Sequence, residues 1–69
     1  MSAYNKCIHV ETKQNDKYKL CVYEFNYGLR GDLFEYNFEN KSYQLISRAK
    51  FYYKDNDASV FRVKEYFGF

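Results

Sequence analysis

The chain has 69 residues, among them nine Tyr and seven Phe but no Trp or Pro, and its formal net charge is +2 at pH 7. Such a length gives one domain, 1–69, able to bury only about 60% of its extended-chain surface, so rings that bury roughly 150–250 Å² each must supply much of the core. Its uncharged apolar runs fall far short of the ~20 residues that a membrane-spanning helix needs, and the small charge permits an anionic partner without demanding one.

The first predicted strand covers residues 4–12 and the second 18–27, joined by the polar turn KQNDK. With Thr12 opposite Tyr18, Val10 meets Leu20 and Ile8 meets Val22. The same register sets Lys6 against Glu24 and Glu11 against Lys19, two complementary charge pairs. Next, YGLRGD offers Gly28 and Gly31 for the positive φ of a tight connection. Strand three, DLFEYNFE, alternates, with Phe34, Tyr36 and Phe38 on one side, facing Phe25, Tyr23 and Cys21.

Asn40 and Lys41 turn the chain into a fourth strand that places Tyr43, Leu45, Ser47, Ala49, Phe51 and Tyr53 on the same aromatic side. A last turn at 55–58 leads to a fifth strand, with Phe61, Val63 and Phe67 inward and Val60, Arg62, Lys64 and Tyr66 outward. The expected fold is therefore all-β: a five-stranded antiparallel meander curling into a small open barrel. The alternative is an α+β fold with a helix around residues 42–53, because Tyr43, Ile46, Ala49 and Tyr53 recur at spacings of three and four behind a capping Asn40 or Ser42.

Two surfaces of this arrangement suggest binding. Tyr4, Ile8, Val10, Leu20, Val22 and Leu33 form a second apolar group bordered by Lys6, Glu24 and Glu35. A monomeric sheet needs only one apolar face, so Ile8, Val10, Leu20, Val22 and Leu33 are read as a protein interface, with the interior of a closed barrel as the competing account. The reading that follows is a non-enzymatic protein-binding module, a small regulator or inhibitor whose simplest partner is a second copy of itself. The second surface is basic. Residues 1–40 hold five basic and six acidic side chains, whereas 41–69 hold six basic and three acidic. Arg48, Lys50, Arg62 and Lys64, with Tyr52 and Tyr66, supply cations beside rings, the requirement for single-stranded nucleic acid or another anion. Long basic side chains splayed into water explain the same residues without a ligand.

The chemistry-bearing residues are sparse. Cys7, His9, Cys21 and Glu11 lack the paired loop spacing of a structural zinc module. A Cys–His nucleophile there has no accompanying acid, and GLRG has no strand–helix setting for phosphate. No catalytic residue, metal or cofactor is expected. The opening MSAYNKCIHV has no apolar leader region, so the expectation is a cytoplasmic protein, away from the membrane, with both thiols reduced and buried. Compactness and an A/T-rich codon bias (Lys, Asn, Tyr, Phe, Asp) suit a viral or mobile-element accessory protein.

Overall fold

The computed structural model describes residues 5–69. Four antiparallel strands, β1 (Lys6–Lys13), β2 (Tyr18–Phe25), β3 (Gly28–Asn37) and β4 (Ser42–Tyr52), form one sheet in sequence order, followed by a short 3-10 turn (Tyr53–Asp55) and a helix, α1 (Val60–Phe67). The expected all-β barrel is overturned. The sheet stays open, its last segment is helical, and the fold is α+β.

The alternative had the correct class and the wrong segment: residues 42–52 are β4, and the helix lies at 60–67. β4 pairs with β3 from Gly28↔Tyr52 to Asn37↔Ser42, and this long ladder overrides the helical spacing of its side chains. The helix at the end is locally specified. Ser59 Oγ accepts the backbone N–H of Arg62 at 3.0 Å, an N-cap. At the other end Gly68 adopts φ 78°, and the amides of Gly68 and Phe69 return to the carbonyls of Glu65 and Lys64. Between these caps Val60, Val63 and Phe67 fall on one helical stripe and meet the sheet.

That contact makes the core. Leu20, Val22 and Val63 are fully buried, joined by Leu29 and Phe51, with Ala49, Ala58, Val60, Phe67 and Phe69 packed around them. The core is mostly aliphatic and lies between the helix and one face of the sheet. Gly31 sits directly beneath α1, where a Cβ would come 2.6 Å from both Val63 Cγ1 and Phe67 Cε2. Gly31 is therefore a strand residue required for close helix approach, not part of the expected turn. Gly28, with φ 151°, does serve a connection, since Asn26 and Tyr27 form the two-residue turn between β2 and β3.

Two register shifts decide which side chains face the helix. A bulge between Cys7 and His9 pairs His9 with Val22, and one beside Leu33 and Phe34 pairs them with Ser47 and Leu45. Beyond the first bulge Val10 pairs with Cys21 and Glu11 with Leu20, one residue away from the expected register, while Lys6 does face Glu24. A one-residue slip exchanges the faces of a strand. As a result His9, Glu11, Leu20, Val22, Leu29, Gly31, Leu33, Ala49 and Phe51 share the helix-covered face. The reverse is left uncovered by any described element.

Candidate functional site

The apolar group read as an interface is divided by this geometry. Leu20 and Val22 are fully buried under α1 and Leu33 lies half-buried on the same face, so the cover for that surface is the chain's own helix. Ile8 and Val10 are exposed on the edge strand β1; Tyr4 lies outside the described residues.

The basic group is divided as well. Arg48, Lys50 and Tyr52 lie on the uncovered face of β4, whereas Arg62, Lys64 and Tyr66 belong to α1, on the other side of the sheet. Each helix cation has an acidic neighbour: Arg62 contacts Glu65 at 3.3 Å and Asp57 at 3.9 Å, and Lys64 contacts Glu11 at 3.0 Å. Glu11 also accepts from His9 at 2.9 Å. The His9 hydrogen bond, then the Lys64 ammonium, hold the Glu11 carboxyl below its ordinary value. Tyr66 packs its ring edge-on against Phe51 and Phe67. Cys7 and Cys21 point to the uncovered face while His9 and Glu11 point to the helix, so the possible ligand set is split. No group of three metal-ligating side chains occurs among the described residues. The thiols differ: Cys21 is buried, which pushes its thiol up, and Cys7 is exposed, contrary to the expectation that both are buried.

What the uncovered face does assemble is a band of rings and cations. At the β2–β3 turn Phe25 and Tyr27 stack with centroids 5.1 Å apart and an interplanar angle of 9°, and Tyr52 leans on Tyr27 at 5.4 Å. The Arg30 guanidinium lies 5.1 Å from the Tyr23 ring and 5.0 Å from Phe25, and Lys50 Nζ is 5.7 Å from Tyr27. At the opposite end Lys19 Nζ lies 4.3 Å from the Tyr43 ring and 5.5 Å from Phe34, with Tyr36 and Phe38 beyond. Cation–ring pairs of this kind contribute about 0.5–1 kcal/mol each where exposed.

Asp32 occupies the centre. Its side chain is 3% exposed, and it accepts from Arg48 Nε at 2.9 Å, Arg48 Nη2 at 3.2 Å and Arg30 Nη2 at 3.1 Å. One carboxylate thus fixes two guanidinium groups, and the remaining charge of the cluster is positive. Arg30 is largely covered, whereas the Arg48 side chain is 47% exposed and Lys50 is exposed. Among the described strand residues, the face therefore carries Lys19, Arg30, Arg48 and Lys50 against Asp32, with Asp16 of the β1–β2 loop at its far end.

Sequence reasoning found Arg48, Lys50 and Tyr52 but missed Arg30, Lys19 and the rings around them. Gly28 and Gly31 in YGLRGD predict a turn around Arg30 instead. Its register opposite Tyr23 and Lys50 is the signal that places it on the face, and that depends on locating the turn at Asn26 and Tyr27. No helix among the described residues is long and apolar enough to cross a membrane. No family model matches the chain, and neither a curated protein nor a solved structure does so.

Proposed function

We propose that this protein binds single-stranded nucleic acid along the uncovered face of its sheet, without catalysing a reaction. The carrying observation is the distribution of aromatic and basic groups. The helix-covered face builds the core from mostly aliphatic side chains with Phe51, Phe67 and Phe69, while the opposite face holds rings interleaved with four cations. Cross-strand packing accounts for Phe25, which is buried, but not for Phe38, which is 74% exposed, or for the exposed Lys50. Rings stack on bases regardless of sequence, contributing about 1–3 kcal/mol per base, and cations neutralise phosphates. Sheets backed by helices and faced with aromatic residues are one known solution for single-stranded RNA. Tyr27 and Tyr52 at one end, and Phe34, Tyr36 and Tyr43 at the other, are the stacking positions; Arg48 and Lys50 between them are the phosphate contacts.

Fluorescence anisotropy with short single-stranded DNA and RNA tests the reading. Two to four phosphate contacts give a slope of log affinity on log salt of roughly −1.4 to −2.8. Exchanging Arg48 and Lys50 for Glu abolishes binding, whereas exchanging Arg62 and Lys64 for Glu leaves it in place. Absence of binding to any strand at low salt would sink the proposal.

A second reading, contact with a protein partner or a second copy, is favoured by Phe61 and Tyr66, which stand 75% and 64% exposed on α1. Light-scattering mass across concentration, with Phe61→Ser as the control, decides it: a dimer dispersed by that change supports the contact, and a monomer at every concentration excludes self-association.

A further inference from the structure

At the far end of the uncovered face, the β1–β2 loop meets the β3–β4 hairpin along an open recess of about 300 Å³ lined by Asn15, Asp16, Tyr36, Phe38 and Tyr43. Its size is at the low end of small-ligand pockets. The rings form walls rather than a flat stack: Tyr36 meets Tyr43 at 74° and Phe38 at 77°, with centroids 5.2 and 5.0 Å apart. Three consecutive residues with positive φ, Gln14, Asn15 and Asp16, produce the loop curvature. Asp16 is anchored twice. Its backbone carbonyl accepts the Tyr43 hydroxyl at 2.6 Å, and its Oδ1 accepts the Thr12 hydroxyl at 2.7 Å. Asn15 and Asp16 are exposed, and neither Asp16 Oδ2 nor the Asn15 side chain has a hydrogen-bond partner among the described residues, which leaves both to solvent or to a ligand.

We propose that this recess receives one unstacked guanine base of the bound strand. The proposal rests on the reading of the uncovered face as a nucleic-acid interface and adds a base preference to it. A base lies against the rings through its π-face, as unpaired bases do on aromatic side chains. The polar wall then distinguishes the bases. A carboxylate only accepts hydrogen bonds, while an Asn amide both donates and accepts. Guanine alone offers two adjacent N–H donors on its pairing edge, N1–H and N2–H, next to the O6 acceptor. Asp16 matches the two donors and the Asn15 amide matches O6. Adenine would set its N1 lone pair against the carboxylate, and cytosine its N3 lone pair.

A cage of rings with a carboxylate could also hold a methylated ammonium. Charge argues against that occupant, because Lys19 Nζ already lies 4.3 Å from the Tyr43 ring and the adjoining face is cationic. A nucleotide brings its own negative phosphate to the same surroundings.

Two measurements test the proposal. In the first, a thymidine oligonucleotide is compared with the same strand carrying one guanine, and with one carrying inosine, which lacks the N2 amino group. The guanine strand is expected to bind roughly tenfold or more tighter than all-thymidine, with inosine losing most of the gain. Asp16→Asn should bring the guanine strand and the all-thymidine strand to within about twofold of each other in affinity, the ratio of the two being the readout. In the second, amide spectra are titrated with 5′-GMP or 5′-AMP; GMP is expected to shift Asn15, Asp16 and Phe38, and AMP to leave them in place. Strands that bind without a guanine preference, or a preference that survives Asp16→Asn, overturn the guanine pocket and leave the interface standing. Shifts at these residues produced by tetramethylammonium but not by GMP would assign the recess to a cation. If no strand binds and GMP leaves the recess unshifted, both readings fall.

Discussion

Replacing Gly31 with Ala tests the way the helix and sheet meet. The added methyl would lie 2.6 Å from Val63 Cγ1 and 2.6 Å from Phe67 Cε2. Val63 is fully buried and β-branched, so it has no free rotamer into which to retreat. Restoring an ordinary carbon–carbon separation of about 3.5–4 Å requires α1 to rise by ~1 Å, a gap that forfeits between a quarter and a half of each affected dispersion contact. Overpacking of this kind costs about 1–3 kcal/mol. Alanine recovers roughly 0.5–1 kcal/mol over glycine from the unfolded chain, leaving a net loss of about 0–2.5 kcal/mol, near 1 kcal/mol at mid-range. For a domain of this size that shifts Tm down by ~4–8 °C per kcal/mol. Urea denaturation followed by far-ultraviolet circular dichroism measures it. A double-mutant cycle isolates the cause: Val63→Ala should cost less in the Gly31→Ala background than in the parent, with a coupling of at least ~0.5 kcal/mol. A stabilising Gly31→Ala, or strict additivity with Val63→Ala, would refute close helix approach as the reason for the glycine.

Asp32→Ala should lower stability by about 1–3 kcal/mol, since it leaves a largely covered Arg30 unpaired while Arg48 returns to water; the same change should tighten oligonucleotide binding by freeing two cations, and a weaker complex would contradict the assigned role of the face. Because the folded Glu11 carboxyl sits below its ordinary value of 4.5, its contribution is present above that value and disappears as pH falls through the folded one. Amide shifts of Lys64 should follow that acid transition, and Glu11→Gln should remove it. A thiol reagent should modify Cys7 in the native protein and Cys21 only after denaturant is added, because burial keeps the Cys21 thiol protonated and covered; two rapid equivalents in native buffer would contradict the assigned packing.

Strand existence was legible in this sequence because alternation and turn residues agree along residues 6–52. The positions of the connections and the side chains' faces were less so. Reading YGLRGD as a turn moved strand three forward and hid Arg30, and the bulges near Ile8 and Ile46 reversed parity partway along β1 and β4. Such bulges depend on contacts between strands, which a single strand's pattern does not report. The terminal VFRVKEYF satisfies both periods. Phe61, Val63 and Phe67 share parity in a strand, but Val60, Val63 and Phe67 share a stripe in a helix, and Ser59 with Gly68 decides for the helix. With that segment helical, Leu20 and Val22 acquired a cover within the chain, and the six proposed anion-binding residues separated into two groups of three. Cations beside rings were foreseeable; their gathering around Asp32 was not, because it requires the β3–β4 register.

The order of the elements along the chain also bears on biogenesis. All four strands precede α1, so a ribosome synthesises the hydrocarbon surface of Leu20, Val22, Leu29 and Phe51 before it synthesises the segment that shields it. At ~5–20 residues per second the stretch from Tyr53 through α1 takes on the order of one to three seconds to emerge. During that interval the nascent sheet is sticky and incomplete, and only delivery of Val63 closes it.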